Sequence, residues 1–183
     1  MESVEEAINC GVRVFGENRV QEAVKKFKNL KQIHKDIELH LTGPLQTNKV
    51  RAAFEIFDIF QTVDREKLAL ELSKFQDLYF KKKYFIQINI GKESTKAGIL
   101  PELAKDFINY CKIDLRMPVV GLMCIPPIYE EPENHFLSLS KIAEENKLNE
   151  LSMGMSADYE KGILAGATNV RVGTNLFGNR SEK

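Results

Sequence analysis

Two short stretches near the C-terminus bring residues with chemical reach close together. Leu151-Ser152-Met153-Gly154-Met155-Ser156 ends on a hydroxyl, and Val170-Arg171-Val172 sets a guanidinium inside an apolar run before Gly173-Thr174-Asn175. A strand followed by a Gly-Thr turn and the expected start of a helix aims backbone N–H groups at an anion. Ser156 adds a hydroxyl from the end of the preceding strand. An arginine that points inward from a strand must be paired or must hold a ligand. The plainer reading of Arg171 is an ion pair with a carboxylate, or an outward-facing side chain. The plainer reading of Gly173-Thr174 is a simple turn. The chemistry this set could do is anion binding, of a phosphate above all.

Other residues carry weaker signals. Asn18, after Phe15-Gly16-Glu17, either orients a ligand or caps the next helix, and capping is the commoner use. His40 alternates with Leu39 and Leu41 and so points to one face, most simply as a satisfied core histidine. Met153 and Met155 flank Gly154 and read first as packing residues. Lys96, in Glu93-Ser94-Thr95-Lys96-Ala97-Gly98, is either a reactive amine or an ordinary solvated or paired charge. The three histidines lie far apart without ligand spacing, so no metal site is expected. No GxSxG turn or Ser-His-Asp order appears, which weakens hydrolase readings.

These residues need elements to position them. Strands are expected at Val12–Phe15, Ile37–Leu41, Ile59–Val63, Lys83–Ile90, Val119–Ile125, Leu151–Met155 and Val170–Gly173. Helices are expected from Val4 to Cys10, Arg19 to Lys31, Gln46 to Phe57, Arg65 to Leu78, Pro101 to about Tyr110, Asn134 to Lys147 and Asp158 to Ala165. Asp64 is the expected N-cap of the Arg65–Leu78 helix, whose apolar stripe would be Leu68, Leu70, Leu72 and Phe75. Gly166 is the expected C-terminal cap of the helix before it. Seven strands alternating with helices imply a parallel sheet with right-handed crossovers. Units of about 25 residues match a (β/α)8 barrel one strand short. A doubly wound open sheet is the alternative, and its GxGxxG first turn is missing. In a barrel, function collects on the loops after the strands, and phosphate on those after strands seven and eight.

Composition bounds the partners. The 183 residues include 43% hydrophobic and 28% charged, the values of an ordinary globular chain. Lys plus Arg and Asp plus Glu number 26 each, a balance that argues against a broad nucleic-acid surface. Cys10, Cys111 and Cys124 are an odd, scattered set, as in a reduced cytoplasmic protein. No apolar run reaches a membrane span, and the acidic start lacks the features of a signal peptide.

Seven motifs, in order, resemble one family. They are Phe15-Gly16-Glu17-Asn18-Arg19-Val20-Gln21-Glu22, His40-Leu41-Thr42-Gly43-Pro44-Leu45-Gln46-Thr47-Asn48-Lys49, Gln87-Ile88-Asn89-Ile90, Glu93-Ser94-Thr95-Lys96-Ala97-Gly98, Gly121-Leu122-Met123, Leu151 to Ser156 and Val170 to Gly178. Together they closely resemble the pyridoxal phosphate homeostasis protein family, YggS in bacteria and PROSC in animals. The resemblance implies a barrel like the alanine racemase N-terminal domain, here residues 1–183 as a single domain. It implies binding of pyridoxal 5′-phosphate (PLP) to buffer or deliver it, without an assigned reaction. By resemblance Ser156, Gly173 and Thr174 hold the phosphate, Arg171 faces the pyridine nitrogen, and Asn18 and Met153 line the ring pocket. A cation facing that nitrogen would keep it unprotonated and weaken the electron sink that PLP enzymes use.

One departure matters. The family binds PLP as a Schiff base to a lysine ending the first barrel strand, in a motif like Val-Ser-Lys-Thr. That motif is absent from this sequence, whose first segment reads as the helix Val4 to Cys10. The expectation is a barrel missing its first strand, with two unpaired edges and PLP held weakly and non-covalently. Lys49 and Lys96 match family positions near the pocket mouth and are not expected to replace the lost lysine. The chain is therefore expected to be a cytoplasmic, monomeric, non-catalytic PLP carrier or regulator. Its partners would be PLP and PLP-dependent client enzymes, with no nucleic acid and no membrane. The alternatives are a racemase-like PLP enzyme, which would need an acid/base pair, and a degenerate scaffold that binds nothing.

Overall fold

Runs of β-branched and aromatic residues alternate with amphipathic stretches, and the structure turns each into a strand or a helix. The computed structural model describes residues 2–75 and 81–178. Helix α1 (Glu2–Asn9) leads to β1 (Val14–Glu17), α2 (Val20–Ile33), β2 (Glu38–Leu41), α3 (Val50–Ile56), β3 (Ile59–Val63), α4 (Glu66–Ser73) and β4 (Lys83–Ile88). There follow α5 (Ala104–Asn109), β5 (Val119–Cys124), α6 (Pro132–Glu145), β6 (Glu150–Met155), α7 (Tyr159–Leu164), β7 (Asn169–Arg171) and the single turn α8 (Thr174–Phe177).

The seven strands lie in sequence order, each parallel to its neighbours. Neighbouring strands stand about 4.8 Å apart, so β3 and β6 would be about 14 Å apart in a flat sheet. Yet Ser152 Oγ on β6 donates to Gln61 Oε1 on β3 at 2.6 Å. Arg171 on β7 likewise reaches the Cys124 carbonyl on β5 at 2.8 Å. The sheet therefore curls until its inner face meets itself, forming the wall of a (β/α) barrel. A doubly wound open sheet could not bring Ser152 to Gln61. β1 and β7 are the two edges of the wall.

Two cores result. The larger lies between sheet and helices, where Phe54 packs on Phe60 at 5.0 Å between ring centroids and Phe60 stacks on Tyr84 at 5.6 Å. Inside the barrel Ile59, Phe85 and Met123 form a small separate cluster against Ile125. Gly121 lets β5 and β6 close up, since a Cβ there would overlap the Glu150 carbonyl.

Several expectations need correction. β1 runs two residues later than its apolar run and takes in Gly16 and Glu17. Asp64 does not cap α4; Arg65 holds that place in an extended conformation. The Asp64 carboxylate is turned inward and pairs with the Arg65 guanidinium, which also donates to the Leu45 carbonyl at 2.8 Å. Leu70 faces solvent, because the true stripe of α4 is Leu68, Ala69 and Leu72. The end of the expected Arg65–Leu78 helix, residues 76–78, lies outside the described residues. Gly166 does follow α7 with a left-handed φ of 97°.

Candidate functional site at the carboxyl ends of the strands

In a parallel strand alternate side chains face opposite ways. On β6 this sends Ser152 into the barrel and Met153 into the helix-side core, fully buried. Met153 is thus a packing residue, and its expected place in the ring pocket is not where the structure puts it. Met155, read with it as a packing residue, is half exposed at the strand end. Its N–H donates to Asp158 Oδ1 at 2.6 Å, which fixes the turn into α7.

Arg171 is turned inward, as its strand position required for a functional reading. Its Nη1 donates to the Ser152 carbonyl at 3.0 Å and to Ser152 Oγ at 2.6 Å, and its Nη2 to the Cys124 carbonyl at 2.8 Å. Among the described residues no carboxylate forms an ion pair with it, and Nε makes no hydrogen bond. Burial pushes its pKa below the ordinary arginine value, with Asp158 opposing from a distance. The guanidinium stays charged and, among the described residues, keeps two unbonded N–H donors, on Nε and on Nη2.

Beyond Arg171 the chain turns through Gly173 and Thr174. Gly173 N–H donates to Ser156 Oγ at 3.2 Å, and Asn175 Nδ2 to the Ser156 carbonyl at 3.2 Å. Ser156, Gly173 and Thr174 are therefore brought together at one end of β6 and β7. A Cβ added to Gly173 would meet nothing within 4 Å, so the loop borders open space.

Asn18 sits across the mouth, with the loops after β1 to β3. Its expected helix-capping role fails, since Arg19 occupies the N-cap of α2 without a side-chain cap bond. Asn18 Oδ1 instead accepts from Thr42 Oγ1 at 2.9 Å. Gly43 lets these two loops touch; a Cβ there would lie 2.7 Å from Asn18 Cα. Asn18, Thr42, Lys49, Arg65 and Ile125 line a cleft of about 1000 Å³. Lys96 is tied up by Glu93 Oε2 at 2.6 Å and the Pro126 carbonyl at 3.2 Å.

Two residues that the sequence did not single out, Ser152 and Gln61, belong to this region. Ser152 is fully buried and Gln61 almost so, and Gln61 Nε2 lies 2.7 Å from His40 Nδ1. His40 is 4% exposed, with Glu38 Oε1 2.8 Å from its Nε2, so it is a satisfied histidine. A polar residue at an inward position of an apolar strand is the available signal, and both positions carry it.

Comparison with known proteins agrees with this geometry. The family model "Alanine racemase, N-terminal domain" matches residues 1–181. The pyridoxal phosphate homeostasis protein of Aquifex aeolicus is 42% identical, over 98% of this chain and 82% of its own length. That of Escherichia coli K12 is 37% identical, over 97% and 80%. PipY of Synechococcus elongatus, solved without PLP, superposes with a TM-score of 0.86 at 36% identity, over 97% of this chain and 87% of PipY. PipY has also been solved with PLP bound, and that structure gives 0.82 at 35%. Alanine racemase of Clostridium difficile, at 16% identity and a TM-score of 0.75, shares the barrel alone and is covered over 49% of its length. With one barrel, one order of motifs and relatives matched almost end to end, the chain belongs to the family of pyridoxal phosphate homeostasis proteins, built on the alanine racemase N-terminal domain.

Proposed function

We propose that this chain binds PLP through Ser156, Gly173, Thr174 and Arg171, and that it carries or buffers the cofactor for enzymes that use it. The observation that supports this best is Arg171. It is a half-buried cation fixed by three hydrogen bonds, with two of its five N–H groups unbonded among the described residues, beside an open loop of amide and hydroxyl donors. These donors suit a phosphate, and the guanidinium suits a ring nitrogen that accepts. PLP supplies an aldehyde and an electron-withdrawing pyridine ring. Ser156 and the Gly173 and Thr174 amides would bind and orient the phosphate end. Arg171 cannot give up its proton, so it would hold the ring nitrogen unprotonated and suppress catalysis. Asn18, fixed by Thr42 across the mouth, would border the ring. No lysine in the 183 residues matches the family's PLP lysine, and these residues are expected to hold PLP non-covalently or weakly. Among the described residues no helix is long and apolar enough to cross a membrane. A cytoplasmic monomer is the simplest setting for this role.

The test is a PLP titration of the folded chain, followed by absorbance and dialysis, with borohydride reduction and peptide mass mapping. Saturable binding without a reduced adduct is expected. Ser156→Ala should weaken it about tenfold, the worth of one charge-assisted hydrogen bond. No binding by a chain with native circular dichroism would leave the ligand-free scaffold reading. Saturable racemisation of alanine would establish the enzyme reading instead.

A further inference from the structure

A line of hydrogen bonds crosses the barrel interior from Arg171 on β7 to Glu38 on β2. Arg171 Nη1 meets Ser152 Oγ at 2.6 Å, Ser152 Oγ meets Gln61 Oε1 at 2.6 Å, Gln61 Nε2 meets His40 Nδ1 at 2.7 Å, and His40 Nε2 meets Glu38 Oε1 at 2.8 Å. One end can only donate, because a guanidinium has no acceptor. The other end can only accept, because an ionised carboxylate has no proton. Between them Ser152, Gln61 and His40 each accept one bond and donate one. That assigns the Gln61 amide with its oxygen toward Ser152, and His40 as the tautomer with its proton on Nε2. Reversing the line would need a second proton on His40 or a protonated Glu38. The Ser152 lone pair is therefore held toward Arg171.

Packing does not require this arrangement. Barrel interiors are commonly filled by apolar side chains, and Ile59, Phe85 and Met123 fill part of this one. Buried polar groups stabilise little when paired and cost more when one partner is lost. The polar residues at 61 and 152 thus add little to stability that apolar ones would not. What they do supply is a fixed place and orientation for the half-buried Arg171 guanidinium.

We propose that Ser152 is a positioning residue for Arg171, and that Gln61, His40 and Glu38 fix the direction in which its hydroxyl acts. The service of Arg171 to a ring nitrogen rests on the PLP reading above; its positioning by Ser152 does not. The test therefore starts on the ligand-free, 15N-labelled chain. The wild type should show the His40 tautomer protonated on Nε2 and a slowly exchanging Arg171 Nη–H signal, from the nitrogens that hold Ser152 and the Cys124 carbonyl. In Ser152→Ala the Arg171 signal should shift and exchange at least about fivefold faster. The His40 ring nitrogens, at the far end of the same line, should shift while the proton stays on Nε2, where Glu38 still accepts it. Ser152→Thr, which keeps the hydroxyl, should restore both signals, and Gln61→Leu should disturb both while leaving Ser152 in place. Should Ser152→Ala not fold, Gln61→Leu against wild type decides the same question. Wild-type Arg171 and His40 signals in a folded variant would overturn the proposal. A PLP titration then reads the consequence: Ser152→Ala should weaken binding about tenfold and alter the absorbance of bound PLP. An unchanged affinity and spectrum in a variant whose Arg171 signal has moved would overturn its service to the ligand. If the wild type itself does not bind PLP, the proposed function falls, while the ligand-free spectra still decide the positioning.

Discussion

Arg171 shows why a side chain's neighbours decide its use. Its fork is planar and serves two carbonyl oxygens and a hydroxyl at once. A lysine ammonium is a point charge on a flexible stem and cannot keep that set. Arg171→Lys should therefore weaken PLP binding about tenfold or more although the charge is kept, as isothermal titration would read. The cysteines make a second point at this scale. Burial pushes the Cys111 and Cys124 thiols up to about 12, while Cys10 is exposed. The thiolate is the reactive form, so iodoacetamide at neutral pH should add one label to the folded chain, on Cys10. Three labels without unfolding would contradict the burial of these two thiols.

The loops that form the site are held by close backbone approaches between elements. Gly43 lets the loop after β2 touch Asn18, and Thr62 Oγ1 ties the Gly43 carbonyl at 2.8 Å. Gly121 sets β5 against β6, the strand that carries Ser152. A methyl group at either place must displace backbone, which costs roughly 1–3 kcal/mol. Gly121→Ala should lower Tm by several degrees in a thermal melt, and an unchanged Tm would mean that the two strands can separate freely. Element type is legible from periodicity, and Ile59–Val63 matches its strand residue for residue. Element ends are not. Asp64 reads as a cap because its residue type favours one, but burial gives its carboxylate to Arg65. Burial also pushes the Asp64 carboxyl above its usual range, against the pull of that guanidinium.

Across the molecule, the fold keeps Cys111, Cys124 and Tyr84 neutral. Burial raises all three, and among the described residues the Tyr84 hydroxyl has no hydrogen-bond partner. Their folded values lie above their unfolded ones, so the unfolded chain releases protons that the folded chain retains. Stability is then full below the unfolded thiol value of about 8.5 and falls as pH rises toward the folded values, by roughly 1.4 kcal/mol per thiol per pH unit. Urea unfolding at pH 7.5 and pH 10 should show this loss, and replacing both buried cysteines with alanine should flatten it. An equal midpoint at the two pH values would place these groups in water.

Pattern along the chain is enough for the order of elements, the parallel sheet and the family, because periodicity and ordered motifs are local properties. It also singles out Ser156, Arg171, Gly173 and Thr174, since their spacing along two strand ends already places them on one side. Which way Ser152 and Met153 face, what Asn18 bonds to, and that Gln61 on β3 meets Ser152 on β6 are settled by tertiary packing alone. Those contacts join residues up to 91 positions apart. They exist only because the sheet curls, and that curvature belongs to the packed barrel as a whole.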